Sequence, residues 1–350
     1  MRPRPLGLLE AGALALTLAA CMAAPPGNVP PEPGPSAVLA TAVPLHPSDP
    51  TRDRVGSLRY LGGWSLTARG TSIFQGLSAI EAQEDDNGWT RFTALTDGGE
   101  AFAFSATRRG DGLRIDPAYR LARLRGVDGA PLGDRPYNDA EGLSDSFDGE
   151  TFTVSFEREH RLQRTADLFD HRAPVTNLPR APFLASLADN GGIEGLAELP
   201  LSGRVVVALG AEDGRIWFCD REQTADCLPV HTRSGVPGFA LTALDHLPGT
   251  SDLVALYRAY GPLSGMRTVV ARISSGAAGG RAGTVEVLAR LERPLTHENF
   301  EGVAAVDNGR GGWTLWMISD DGFPSGSRTL LLALDYTPGT DAPAARVPAS

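Results

Sequence analysis

Three copies of one short phrase place a glutamate before a glycine and an apolar residue: Ala140-Glu141-Gly142-Leu143, Ile193-Glu194-Gly195-Leu196 and Asn299-Phe300-Glu301-Gly302-Val303. Two degenerate copies flank them. Phe74-Gln75-Gly76-Leu77 carries Gln75, and Gly238-Phe239-Ala240-Leu241 carries Phe239, where the others carry glutamate. Each phrase is followed by a β-rich run that ends in charge: Asp97, Glu157, Glu212, Arg258, and the pair Asp320-Asp321. If each phrase opens a strand and the next strand returns antiparallel, the end of the return lies beside the start. Gln75 then meets Asp97, Glu141 meets Glu157, Glu194 meets Glu212, Phe239 meets Arg258, and Glu301 meets Asp320 and Asp321. Arranged around a ring, these groups collect at one mouth of a central channel.

Carboxylates so gathered repel one another unless a cation joins them. An oxygen-rich set suits Ca²⁺, which takes six to eight oxygen ligands. The candidate ligands are Asp97, Glu141, Glu194, Glu301 and Asp321. Glutamates that hydrogen-bond a neighbouring unit and lock the ring are the structural alternative. For hydrolytic chemistry, Glu157, Glu212 or Asp320 would orient a water, and Arg161, Arg258 and Arg328 would hold an anion. His160 and His297 read as hydrogen-bonded loop residues at the same mouth. No Gly-x-Ser-x-Gly elbow, HExxH or P-loop is present.

The elements that must position these residues are strands. Arg91–Leu95, Thr151–Phe156, Arg204–Leu209, Leu253–Tyr257, Trp313–Ile318 and Thr329–Leu334 are rich in β-branched, aromatic and aliphatic residues and lie between turn signals such as Asp148-Gly149, Asp213-Gly214 and Asn308-Gly309. The phrases recur at intervals of roughly 45 to 65 residues, the length of one four-stranded propeller blade with its loops. The last copy has about three strands before the chain turns loop-like, and Ser57–Thr67 can supply the missing outer strand. The predicted fold is all-β, a single propeller of five or six four-stranded blades closed by an N-terminal strand.

The 350 residues carry a formal net charge of −10, which argues against a nucleic-acid partner, since that would want a basic stripe. Gly 41 and Pro 27 suit a fold with many tight turns. Arg2 and Arg4 followed by the apolar run Ala11–Ala20 read as a signal peptide over 1–20, and Leu18-Ala19-Ala20-Cys21 resembles a bacterial lipobox. Cys21 is then lipidated and the protein is anchored in the cell envelope facing the periplasm. Met22 in place of aspartate favours the outer membrane. Residues 21–56, rich in Pro and Ala, read as a tether, 57–336 as the propeller, and 337–350 as a tail. Cys219 and Cys227 flank a polar segment and either close a small disulfide loop or stand as free thiols.

Several of these motifs, in this order, are similar to a known family. Gly76-Leu77-Ser78-Ala79-Ile80, Ala94-Leu95-Thr96-Asp97, Glu141-Gly142-Leu143, Val154-Ser155-Phe156-Glu157, Ile193-Glu194-Gly195-Leu196-Ala197, Asn299-Phe300-Glu301-Gly302, Ile318-Ser319-Asp320-Asp321-Gly322-Phe323 and Arg328-Thr329-Leu330-Leu331-Leu332 resemble the phytase-like, esterase-like β-propeller family of bacteria. The resemblance spans roughly 57 to 336. It implies a secreted or lipid-anchored propeller with a mouth that hydrolyses a phosphoester or ester. The resulting expectation is a monomeric, Ca²⁺-dependent hydrolase of a small anionic ester. A non-catalytic propeller that binds a ligand or protein is the alternative, and a lactonase-like enzyme with carboxylates around one Ca²⁺ is a third.

Overall fold

The computed structural model describes residues 37–71, 73–109, 112–231, 235–274, 283–322, 326–339 and 346–347. The expected signal peptide and the expected lipidation site Cys21 lie outside the described residues. In chain order the strands are β1 (Ala37–Ala42), β2 (Arg54–Val55) and β3 (Leu58–Arg69), then the first blade, β4 (Leu77–Glu84), β5 (Thr90–Thr96), β6 (Glu100–Arg109) and β7 (Gly112–Arg123). The second blade is β8 (Ala140–Asp145), β9 (Phe152–Phe156), β10 (Arg161–Thr165) and β11 (Val175–Asn177). The third is β12 (Ile193–Leu201), β13 (Arg204–Ala211), β14 (Ile216–Asp220) and β15 (Cys227–His231). The fourth is β16 (Ala240–His246), β17 (Leu253–Gly261), β18 (Gly265–Ile273) and β19 (Val285–Leu291). The fifth opens with β20 (Asn299–Asp307), β21 (Trp313–Asp320) and β22 (Leu330–Tyr336), and β23 (Arg346–Val347) ends the described chain.

Each blade is an antiparallel meander, and the fifth is completed from the N-terminal side. β3 pairs with β22, from Leu330 opposite Ser65 to Asp335 opposite Arg59. The chain is thus a five-bladed propeller whose ring is closed by an early strand. Two segments are corrected. The expected tether contributes β1, which pairs with β3 from Ala37↔Arg69 to Ala42↔Trp64. β3 would otherwise present an open edge, and Val38 is buried by covering it. The expected tail contributes β23, which adds to β19 at Val285 and Glu286.

The core is distributed over the seams between blades. One apolar cluster lies in each of the five seams. Middle strands are consequently buried on both faces, as in β21, where Trp313, Leu315, Trp316, Met317 and Ile318 are all shielded from water. The seam between the fifth and first blades holds the largest aromatic stack. Trp316 meets Phe92 edge-on at 4.9 Å and Trp64 at 6.3 Å. Cys219 and Cys227 face each other across β14 and β15 and are joined by a disulfide.

Candidate functional site: an acid-lined mouth

Every innermost strand carries a register shift near its start. The shifts fall between Leu77 and Ala79, Ala140 and Gly142, Ile193 and Gly195, Leu241 and Ala243, and Phe300 and Gly302. A bulge adds one residue and re-aims its side chain. The added residues are Ser78, Glu141, Glu194, Thr242 and Glu301, which form one tier around the channel. The structural counterparts of the three glutamates are therefore Ser78 and Thr242. The sequence reading, which used Gln75 and Phe239, was out of step by three residues in two blades. Gln75 precedes β4, and Phe239 packs beneath Arg267 and Arg290.

The ends of the second strands form a second tier, and here the expected pairing is close. The Asp97 amide bonds the Gly76 carbonyl, that of Glu157 bonds Asp139, and that of Glu212 bonds Gly192. Ala240 faces Arg258 and Asn299 faces Asp320. Asp97, Glu157, Glu212, Arg258 and Asp320 thus hold equivalent positions in the five blades.

The glycine after each glutamate has a steric cause. A Cβ on Gly302 would stand 2.9 Å from the Ile80 nitrogen, and one on Gly195 would stand 2.8 Å from the Leu244 nitrogen. The next blade's inner strand occupies that space. Where the bulge residue is Ser78 or Thr242, the following residue is alanine.

Glu141, Glu194 and Glu301 come from the second, third and fifth blades, yet they act on one another electrostatically. Burial drives Glu141 well above the ordinary carboxylate range, and Glu194 and Glu301 push it further. Burial does the same to Glu194, with Glu157 and Glu301 adding. Glu301 is pushed up to about 8 by burial; Arg258 opposes this and Asp320 adds to it. Glu157 reaches about 7 through burial, with Asp139 adding and Arg158 opposing. Asp97 reaches about 6 through burial, against the pull of Arg135. Asp320 is also raised, chiefly by burial.

Glu301 does fasten a seam, accepting a hydrogen bond from Arg258 of the fourth blade, whereas the other two glutamates do not lock the ring in the way the structural alternative supposes. Among the described residues Glu141 and Glu194 accept no hydrogen bond and join no salt bridge. Other groups tie the seams. Ser78 Oγ donates to the Ala140 carbonyl at 2.7 Å, Ser155 Oγ to that of Ile193 at 2.7 Å, and Thr242 Oγ1 to that of Phe300 at 3.0 Å. The Leu241 amide donates to the Glu212 carbonyl, and Asp321 Oδ1 accepts the Gly76 amide at 2.9 Å.

The chain contains no lysine, so every basic group at the mouth is a guanidinium. Arg258 donates to Glu301 Oε1 and, at 2.8 Å, to Asn299 Oδ1. Asn299 in turn donates to Glu301 at 2.9 Å and to Asp320 at 3.0 Å. Two arginines and one aspartate missed in the sequence complete the site. Arg135 bridges Asp97 at 2.6 Å and Asp139 at 3.0 Å. Arg158 pairs with Asp139 from a left-handed backbone, φ 59°, a conformation costing a non-glycine residue about 1–3 kcal/mol. Asp139 stands two residues before Glu141, as Asn299 stands two before Glu301. No strand periodicity flags Asp139, because it precedes β8 and Glu141 is the bulge residue.

Oxygens of Asp139, Glu141 and Glu157 lie within 4.8 Å of one another. Asp139 is 1% exposed and is held by Arg135 at Oδ1 and by Arg158 at Oδ2. The other candidate groups stand apart from this cluster. Arg161 lies on the Phe156 ring at 3.8 Å and donates to the Tyr137 and Glu159 carbonyls. Arg328 pairs with Glu298 at 2.9 Å and is half exposed. Both guanidiniums are therefore committed outside the ring. His160 Nε2 bonds the Ala188 carbonyl and His297 Nδ1 that of Leu295, as loop residues do.

These features define a five-bladed propeller with an acidic mouth held between arginines. The chain belongs to the phytase-like family described as "esterase-like activity of phytase", whose model matches residues 72–323. No curated protein matches the chain. Among solved structures, it is similar to the catalytic domain of a Coprinopsis cinerea GH62 α-L-arabinofuranosidase, at 10% identity and TM-score 0.46 over 86% of this chain and 99% of that one. It is also similar to the β-propeller domain of Myceliophteria thermophila Cps50 (Swd1), at 12% identity and TM-score 0.38 over 87% of this chain and 100% of the other. Likeness at these levels carries nothing about chemistry.

Proposed function

We propose that the chain is a hydrolase of a phosphoester or ester, working at the acidic mouth with a divalent cation. The observation that carries this reading is the pair Glu141 and Glu194, half-buried at the mouth with no hydrogen-bond or salt-bridge partner among the described residues, beside the Asp139–Glu141–Glu157 cluster. Carboxylates gathered without partners repel one another unless a cation joins them. The donor set is all oxygen, which fits Ca²⁺, with Asp139, Glu141 and Glu157 as its holders and Glu194 and Glu301 facing the same space. When bound, such a cation polarises the scissile group and lowers the pKa of a water.

The chain's own groups divide the remaining work. Glu157, at about 7, exchanges a proton near neutrality; Glu212 and Asp320 hold the same position in the third and fifth blades. Arg258, fixed by Asn299 and Glu301, and Arg158 present guanidiniums to an anionic ester. We also propose that the protein acts as a monomer on the periplasmic side of a bacterial envelope, outer membrane favoured, anchored through a lipidated Cys21.

The test is hydrolysis of phytate, p-nitrophenyl phosphate and p-nitrophenyl acetate by the full chain, with Ca²⁺ and with a chelator. Expected is Ca²⁺-dependent turnover that falls at least a hundredfold in Glu157→Gln while the fold is kept. Turnover indifferent to chelation, or none on any substrate, defeats the reading. The absence of a nucleophile paired with a base at this mouth, among the described residues, favours the second reading, a propeller that binds without catalysis. Calorimetric Ca²⁺ binding with no turnover would establish it.

A further inference from the structure

The channel has another mouth, formed by the far ends of the same inner strands. A solvent-open cleft of about 400 Å³ lies there, a size suited to a small molecule. Its acidic lining includes Glu81 from β4, Asp145 from β8, Glu198 from β12 and Asp245 from β16. These carboxylates differ in what neutralises them. Glu198 is met by Arg164 and Arg221, each at 3.3 Å. Both oxygens of Asp245 accept backbone amides, from His246 and Ala305, at 2.6 Å.

Glu81 and Asp145 are left uncompensated. Glu81 is 6% exposed, and its Oε1 accepts the Asp145 amide at 3.2 Å. Its other oxygen has no hydrogen bond among the described residues. Asp145 takes one bond from Gln83 at 2.7 Å. No arginine pairs with either carboxylate among the described residues. Beside them stands Phe147, 54% exposed in the lining of the cleft, its ring 6.1 Å from that of His246.

The form of the cleft selects the kind of cation. At the first mouth three ligand oxygens gather within 4.8 Å; among the described residues no such trio forms here. A bare divalent ion finds no compact cage. A larger cation can reach several separated carboxylates at once and lay an alkylammonium group on an exposed aromatic face. We propose that this second mouth binds a small organic cation of the linear polyamine class, held between Glu81, Asp145 and Phe147.

Calorimetry of the full chain with spermidine at low ionic strength tests this. One site is expected, with affinity falling about tenfold or more in Asp145→Asn and in Phe147→Ala. Asp86→Asn, which removes an exposed acid elsewhere, is expected to bind as the parent does. Melting curves of each variant separate lost binding from lost folding. Three outcomes overturn the proposal: no saturable heat, an affinity that Asp86→Asn weakens as much as Asp145→Asn does, or displacement of spermidine by stoichiometric Ca²⁺ at this mouth.

Discussion

Replacing Glu301 by glutamine, with the cation chelated, tests whether the upper ring is a charged site or a structural fastening. In the folded protein Glu301 titrates at about 8, against an ordinary value of 4.5. Between these values the folded chain keeps a proton that the unfolded chain has released. Stability from this group is complete below about 4.5 and is lost as pH rises through about 8. At about 1.4 kcal/mol per pH unit, the loss by pH 8 is on the order of 3–5 kcal/mol. The side chain is 19% exposed and shares its field with Arg258, which favours the lower end. The assay is denaturant unfolding at pH 5, 6.5 and 8 in chelator. Glu81 and Asp245 add slopes of the same sign, so the diagnostic quantity is the difference between parent and variant. The parent is expected to lose several kcal/mol more than Glu301→Gln between pH 5 and 8, and saturating Ca²⁺ to restore the parent at pH 8. Parallel pH profiles, or a parent that gains stability toward pH 8, would refute the reasoning.

Two further substitutions address the frame. Gly302→Ala drives a Cβ to 2.9 Å from the Ile80 nitrogen, so urea unfolding is expected to show a loss of about 1–3 kcal/mol. Gly133→Ala, at an exposed position with no neighbour within 4 Å, is expected to be neutral. Trp316→Ala empties the centre of the stack with Phe92 and Trp64 and is expected to cost about 3–5 kcal/mol in the same measurement.

Much of this architecture was legible because a propeller repeats its constraints. Glu141-Gly142, Glu194-Gly195 and Glu301-Gly302 betray themselves by a steric need: Gly195 and Gly302 make room for the next blade, and Gly142 for Ser155 of its own blade. The ring closure was legible from arithmetic, since the last copy lacked a strand and Leu58–Arg69 supplied it. The first and fourth copies misled because the eye follows glutamate rather than geometry. There the bulge residue is a hydroxyl and the small residue is alanine, so the true register Leu77-Ser78-Ala79 and Leu241-Thr242-Ala243 carries no acidic flag. Arg135, Arg158 and Asp139 were hidden for another reason. They sit in loops or at a strand's edge, where no periodicity constrains them, and only the fold brings them to Asp97 and Glu157. Arg161 and Arg328 lay near the right residues in sequence, but each found a nearer partner.

The two mouths divide the labour of fastening and binding differently. At the lower mouth the carboxylates themselves tie blades together. Glu81 holds the Asp145 amide, Glu198 that of Phe147, and Asp245 that of Ala305. At the upper mouth most of this task falls to neutral or backbone groups, Ser78, Ser155, Thr242 and the Leu241 amide, joined by Asp321 and by the Arg258–Glu301 ion pair. A neutral hydroxyl makes its bond at any pH and with any ligand bound. Fastening the upper seams this way leaves Glu141 and Glu194 free of structural duty. Their charge can then change with protonation or with a cation, without loosening the ring that positions them.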